Sequence, residues 1–140
     1  MIMYFTSTNS QCNNKCQVLS LRVILMYIIS NISRAIYAES HGVRFTTGNV
    51  VCLCIKEDAF PSFGFITKII IVADNIFFIL NKAVTDYFES SYLAYHVYKT
   101  NEMCIVVLDD LAHQIPLFPQ TVSGDMFVKL RNSSVTEFLE

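Results

Sequence analysis

The sequence predicts a mainly β domain, α+β overall, in which a small barrel of about five to six antiparallel strands follows one N-terminal helix. Two runs rich in β-branched and aromatic residues flank Asp74-Asn75 within Phe63–Leu80, as in a two-residue β-hairpin. Val50–Ile55 is apolar on both faces, as in a strand covered on both sides. The 11 Phe and 7 Tyr residues of a chain without Trp suit a β-rich core.

The size and composition of the chain indicate one folded domain. Its 140 residues and 16.0 kDa allow a core that needs neither a disulfide nor a metal to fold. Hydrophobic residues make up 53% of the chain and charged residues 16%, which argues against disorder over most of its length.

The N-terminal part divides into a polar lead-in and a helix. Residues 1–17 are polar and irregular and are predicted to be disordered. From Val18 to Ala38 apolar residues recur at three- and four-residue steps, which predicts a helix within residues 18–41. Its uninterrupted apolar core, Val23–Ile29, is seven residues long, whereas a helix that spans a membrane needs about 20. A helix packed on the domain is therefore favoured, and membrane insertion or a signal peptide is the alternative.

Residues 42–131 carry the strand signals. A loop at Asp74-Asn75 would pair Ile71 with Phe78, Ile69 with Leu80 and Ala73 with Ile76, and both faces of this hairpin are apolar. The closed barrel would cover one face and the N-terminal helix the other. A loop over Ala83–Ser91 is followed by strands over Tyr92–Tyr98 and Met103–Leu108, which are joined by a turn at Thr100–Glu102. A helical turn is predicted from Asp109 or Asp110 to Gln114. In the last strand, Met126–Arg131, the side chains of Met126, Val128 and Leu130 face inward, and a polar tail follows over residues 132–140.

Short apolar motifs follow one another in a fixed order along residues 42–131. They are Gly48-Asn-Val-Val51, Phe63-Gly64-x-Ile66, Ile76-Phe-Phe78, Tyr92-x-Ala94-Tyr95-x-Val97, Leu108-Asp-Asp-Leu111, Pro116-Leu117 and Phe127-Val-x-Leu130. This order resembles the C-terminal module of uncharacterised, transposon-associated animal proteins. It is also similar to small SH3-like barrels of the bromo-adjacent-homology and Tudor groups, in which a Gly-x-Val-Val strand precedes a Gly-x-Ile strand.

The resemblance implies an SH3-like barrel that serves as a non-enzymatic binding module for a peptide or for chromatin. The family carries a long DNA-binding or transposase-like region before the module, and this chain departs from the family by lacking one. Residues 1–41 match nothing in the family. The chain is therefore also considered as a fragment of a larger element.

The charge distribution favours a basic partner. The net charge of −2 combines +2 over residues 1–41 (three basic against one acidic) with −4 over residues 42–140 (seven basic against eleven acidic). An acidic body lacks the positive surface that binds a phosphate backbone, which argues against direct nucleic-acid binding. A basic peptide or a partner protein is the better prediction, and a membrane is not predicted as a partner.

The sequence offers no constellation for catalysis, and no enzyme activity, cofactor or metal is predicted. The three histidines, His41, His96 and His113, are scattered, and no nucleophile motif accompanies them. Asp109 and Asp110 are adjacent, so their side chains diverge and cannot share a proton. The four glycines are isolated and form no phosphate-binding loop.

The five cysteines form no recognisable disulfide framework. Cys12 and Cys16 lie in the lead-in, Cys52 and Cys54 are predicted on one strand face about 7 Å apart, and Cys104 stands alone. A zinc site needs two such pairs, so buried thiols that act as small hydrophobes are the better interpretation. Mostly reduced cysteines predict an intracellular protein, nuclear or cytoplasmic.

One stretch has the composition of a binding site. Tyr87, Phe88 and Glu89 are followed by Tyr92 and Tyr95, and aromatic rings beside a carboxylate can hold a methylated lysine by cation–π attraction. The predicted binding residues are Tyr87, Phe88, Glu89 and Tyr92. The simpler alternative is that Phe88, Tyr92 or Tyr95 fill the barrel.

Three hypotheses of function follow. The first is a protein- or chromatin-interaction module of transposon origin. The second is a small membrane-associated or secreted protein anchored by the apolar helix at residues 18–38. The third is a non-functional reading frame of a decayed element.

Overall fold

The fold is built almost entirely of β-strands. The computed structural model describes residues 6–7, 17–18 and 33–130. These residues form twelve strands: β1 (Thr6–Ser7), β2 (Gln17–Val18), β3 (Ser33–Ala35), β4 (Tyr37–Ser40), β5 (Val43–Thr46), β6 (Val50–Lys56), β7 (Ala59–Val72), β8 (Asn75–Glu89), β9 (Ala94–Val107), β10 (His113–Leu117), β11 (Gln120–Val122) and β12 (Asp125–Val128).

Ten of these strands form one antiparallel sheet that curls into a half-barrel. Its main path runs β1-β2-β9-β8-β7-β6-β10. β12 joins the first part of β9 and carries β11 on its other side, and β3 joins the end of β7. β4 and β5 form a separate two-stranded sheet. The predicted fold class, an α+β fold with a small closed barrel, is wrong: the described residues are nearly all strand, and the main sheet is a curled half-barrel with more strands than the five to six predicted.

The predicted N-terminal helix is wrong. Residues 33–35 and 37–40 are strands, and the described residues contain only one helical segment, the 3-10 turn Leu108–Asp110. β3 pairs with Ile69–Ile71 of the central hairpin, so tertiary pairing overrides the helical spacing of the apolar residues. His41 and Gly42 form the positive-φ turn that joins β4 to β5. The part of the predicted helix over residues 19–32 lies outside the described residues.

The termini were predicted to be irregular. Residues 1–17 lie outside the described residues except Thr6–Ser7 and Gln17, which belong to β1 and β2. The predicted tail at residues 132–140 also lies outside them. Among the described residues, no helix has the length and apolar character needed to cross a membrane.

The central hairpin is confirmed as β7 and β8, but its register differs from the prediction. The turn is Ala73-Asp74, with φ of 49° and 67°, and Ile71 pairs with Ile76 and Ile69 with Phe78. Each β7 residue pairs with a β8 residue two positions earlier than predicted. Because side chains alternate between the faces with a period of two, every residue still points to its predicted face. Asn75 begins β8, and its side-chain amide donates a 3.4 Å hydrogen bond to the Ala73 carbonyl.

Three shorter predictions also need correction. The predicted loop at Ala83–Ser91 is strand as far as Glu89. Residues 100–102 form a bulge within β9, where the Thr100 hydroxyl donates to the Lys82 carbonyl at 2.7 Å. Asp109 and Asp110 lie inside the 3-10 turn, whose N-cap, Val107, makes no side-chain capping bond.

The sheet has a core on each face, as the two-sided apolar pattern predicts. The first core is covered by the β4–β5 hairpin through Ala38 and Phe45, and the Phe45 ring lies 5.2 Å from the Phe78 ring. Its other buried members are Val51, Leu53, Ile66, Ile69, Leu80, Cys104, Val106, Leu108 and Leu111. The second core contains Val50, Cys52, Phe63, Phe65, Val97, Leu117 and Val128. Thus the hairpin takes the covering position that was expected for the helix.

Gly64 lies close to side chains of the first core. A Cβ at this position would lie 2.9 Å from Leu80 Cδ1 and 3.5 Å from Leu53 Cδ1. Any other residue would therefore require the Leu80 side chain to shift, and the glycine allows close packing of the strand against it.

The cysteines differ from the prediction that they are mostly reduced. Cys52 is free and buried, whereas Cys54 and Cys104 are disulfide-bonded. A β-bulge between Cys52 and Cys54 also breaks the regular alternation that predicted both thiols on one face.

We expect the Cys52 thiol to be inert in the folded protein. Burial raises its pKa from 9.0 to about 12, although a weak bond to the Cys54 carbonyl acts in the opposite direction. Iodoacetamide at pH 8 should therefore leave Cys52 unmodified in buffer and alkylate it in urea, as measured by peptide mass spectrometry.

The same shift predicts a pH effect on stability. The raised pKa contributes to stability fully below pH 9, and this contribution falls as pH rises from 9.0 towards about 12. Cys52→Ala should show a smaller loss of unfolding free energy across this range. Rapid alkylation of native Cys52 at pH 8 would contradict the assignment.

Candidate functional site

The candidate site is built on three neighbouring strands. Tyr87 of β8 pairs with His96 of β9, and His96 pairs in turn with Phe127 of β12. Cross-strand partners point to the same face of a sheet, so this register places the three rings in one row.

The rings in this row are in contact. Tyr87 stacks on His96, with ring centroids 4.8 Å apart and planes at 15°. The His96 and Phe127 rings meet edge to face at 5.3 Å. Tyr92, in the turn between β8 and β9, also meets Phe127 edge to face, at 5.1 Å. The buried Phe127 therefore contacts both the His96 and the Tyr92 rings.

A β-bulge brings a carboxylate to the row. Thr85 pairs with Val97 and Tyr87 with His96, so Asp86 and Tyr87 both lie opposite His96. Asp86 Oδ2 lies 3.4 Å from His96 Nδ1. On the other side of the imidazole, Asp125 Oδ1 lies 3.3 Å from Nε2.

The electrostatic field at Tyr87 is negative. The pKa of the Tyr87 phenol is raised, first by burial and then by the charges of Glu89, Asp125 and Asp86 and by Tyr92. Within residues 33–130, no Lys or Arg forms an ion pair with any of these three carboxylates. The set Tyr87, Tyr92, His96, Phe127, Asp86, Glu89 and Asp125 is called the aromatic–acidic face below.

The predicted binding residues divide between two faces of the sheet. Tyr87, Tyr92 and Glu89 belong to the aromatic–acidic face, and the Glu89 carboxylate accepts a 2.8 Å hydrogen bond from the Ser91 hydroxyl. Phe88 points to the opposite face, where its ring meets Tyr95 at 5.0 Å. Phe88 and Tyr95 therefore cannot take part in a cage with Tyr87.

Sequence reasoning missed four members of the face. His96 was interpreted as structural, and Asp86, Asp125 and Phe127 received no site role. The prediction that Met126, Val128 and Leu130 share a face is confirmed by their packing on the second core. Because side chains alternate along a strand, Phe127 then lies on the opposite face. The sequence pattern of this strand could therefore have indicated that Phe127 faces away from the second core.

The arrangement suits a cation more than it suits catalysis. Two half-exposed phenol rings and three carboxylates lie on an open surface, whereas a groove of about 610 Å³ lies elsewhere, beside Ile36 and Ile71. The described residues contain no group of three His, Cys, Asp or Glu side chains arranged to hold a metal ion.

Comparisons of the chain with protein-family models, with curated proteins and with solved structures find no match. The geometry of the aromatic–acidic face is therefore the basis for the functional argument.

Proposed function

We propose that this chain is a non-enzymatic protein-interaction module whose aromatic–acidic face binds the cationic side chain of a basic peptide. Unmodified or methylated lysine is the proposed ligand group, as in a chromatin tail, and a transposon-derived origin fits the resemblance of the sequence. The observation that carries the proposal is that Tyr87 and Tyr92 lie on one face with three carboxylates that form no ion pair with a Lys or Arg of residues 33–130.

Two physical effects support this ligand class. A cation near the face of a Tyr ring is attracted by the ring quadrupole, by about 0.5–1 kcal/mol at exposed sites and about 2 kcal/mol where water is excluded. The carboxylates of Asp86, Glu89 and Asp125 add a long-range attraction that salt weakens. The open surface suits a side chain presented by a peptide rather than a small molecule enclosed in a pocket.

The proposal is tested by the binding of fluorescently labelled histone-tail peptides that carry lysine or trimethyl-lysine. We expect saturable binding that weakens with ionic strength. Tyr87→Ala and Tyr92→Ala should each lower the affinity by about two- to fivefold, because each removes one exposed ring on which a cationic side chain of the peptide can lie. Fluorescence anisotropy measures the affinities.

Tyr37→Ala provides the matched control for this experiment. Tyr37 is 42% exposed and Tyr87 is 39% exposed, but Tyr37 lies on β4 in the other sheet. Its loss should leave the affinity unchanged. The proposal fails if no peptide binds at millimolar concentration, or if Tyr37→Ala weakens binding as much as Tyr87→Ala.

One observation favours the alternative of a secreted protein. The disulfide bonds at Cys54 and Cys104 are typical of oxidising compartments, whereas the proposed intracellular location, nuclear or cytoplasmic, predicts reduced thiols. Trapping of free thiols with N-ethylmaleimide during cell lysis distinguishes the two locations. Modified Cys54 and Cys104 would support the intracellular location, and unmodified ones the secreted protein.

A further inference from the structure

Among the described residues, the end of β8 has no strand partner on its β7 side, next to the aromatic–acidic face. The ladder between β7 and β8 ends at the pair Phe63–Ala83, but β8 continues for six further residues to Glu89. Thr85 is still held by β7, because its hydroxyl donates to the Pro61 carbonyl at 2.7 Å. Pro61 has no N–H to extend the ladder. Residues 86–89 therefore have a described strand partner only on the β9 side.

The side chains along this edge alternate between two aromatic surfaces. Tyr87 points to the row that contains His96 and Phe127. The next residue, Phe88, points to the opposite surface, where Phe88 and Phe60 both pack edge to face on Tyr95. Phe60 is 48% exposed and Phe88 43%, so this second surface is accessible and apolar.

The negative charge along this edge favours a positively charged partner strand. Asp86 and Glu89 lie at either end of the free segment, and Asp125 lies on the same face of the sheet as Tyr87. A second copy of this edge would bring carboxylates opposite carboxylates, which is unfavourable between paired strands. A strand that carries a positive charge is complementary to it.

We propose that residues 86–89 of β8 bind an extended segment of a basic partner by strand addition, and that the segment carries a cationic residue directly next to an apolar or aromatic one. Successive residues of an added strand point to opposite faces, so the cation reaches Tyr87 and its apolar neighbour reaches Phe88 and Phe60. This inference rests on the proposed function, because Tyr87 supplies the cation site in both.

The test compares three probes on the full chain by titration calorimetry. They are the amide of free trimethyl-lysine, a capped hexapeptide with trimethyl-lysine between two Phe residues at its centre, and the same hexapeptide with Ser in place of both Phe residues. The Phe peptide should bind about five- to tenfold more tightly than the Ser peptide, because its ring is removed from water on Phe88 and Phe60. N-methylation of one central backbone amide should weaken the Phe peptide by about fivefold, which is the loss of one interstrand hydrogen bond.

Phe88→Ala makes the test specific. It should abolish the difference between the Phe and Ser peptides and leave the binding of free trimethyl-lysine amide unchanged. Tyr87→Ala should weaken all three probes. Equal affinity of the two peptides, or no effect of N-methylation at any central amide, would overturn strand addition. The proposed function would still be upheld in that case if the free amide binds in a Tyr87-dependent way. Absence of binding by the free amide and by both peptides would overturn both.

Discussion

Replacement of Phe45 by Ala is expected to lower the free energy of unfolding by about 3–5 kcal/mol, the range for removal of a fully buried phenylalanine. Phe45 is completely buried on β5, and its ring contacts Phe78 at the centre of the first core. The β4–β5 hairpin shares no ladder with the main sheet among the described residues. Side-chain burial by Phe45 and Ala38 is therefore what attaches it, and the truncation leaves a cavity beneath the hairpin.

Urea denaturation followed by circular dichroism measures this effect. Thr47→Ala, an exposed change just after β5, serves as the control and should shift the unfolding free energy by no more than about 0.5 kcal/mol. A loss below about 1 kcal/mol for Phe45→Ala would mean that the hairpin is not packed on Phe78 as described.

Replacement of Phe127 by Ala is expected to affect both stability and binding. Phe127 is 5% exposed and lies between His96 and Tyr92, so its loss should cost about 3–5 kcal/mol of unfolding free energy. Tyr92 and His96 also lose the ring against which they pack. Under the proposed function, affinity for the trimethyl-lysine peptide should therefore fall by about fivefold even in the folded protein.

Phe45→Ala is the matched control for this second experiment. Both variants remove one buried phenyl ring, but Phe45 lies in the first core, away from the aromatic–acidic face. We expect Phe45→Ala to keep wild-type affinity under conditions in which the variant is folded, as anisotropy titrations would show. Equal losses of affinity in the two variants would indicate that general destabilisation, rather than loss of the ring row, weakens binding.

The predictable part of the fold lay in long segments rich in β-branched and aromatic residues. The runs on either side of residues 73–75 are long and flank a turn signal, so the central hairpin and its faces were predictable. β4 and β5 have only four residues each, too few to show that period, and His41 in a positive-φ turn gives no local signal. The residues 100–102 have a turn-like sequence, but they form a bulge that is held by hydrogen bonds to Asn81 and Lys82 in another strand. A local sequence pattern does not specify these bonds.

The candidate site was predictable only where its residues are neighbours in sequence. Tyr87 and Tyr92 lie close together in a stretch of distinctive composition. Phe127 and Asp125 reach the site through the register between β12 and β9, which no local pattern specifies. Asp86 reaches it through a bulge, and a regular strand would have pointed it away from His96.

The row Tyr87–His96–Phe127 takes one residue from each of β8, β9 and β12, so it exists only when all three strands are in register. An unfolded chain cannot present it. Any cation bound there is therefore thermodynamically linked to folding. At about 100 times its dissociation constant, such a ligand would add about 2.7 kcal/mol to the unfolding free energy. In that sense, a partner at this face would also act as a folding cofactor of the sheet.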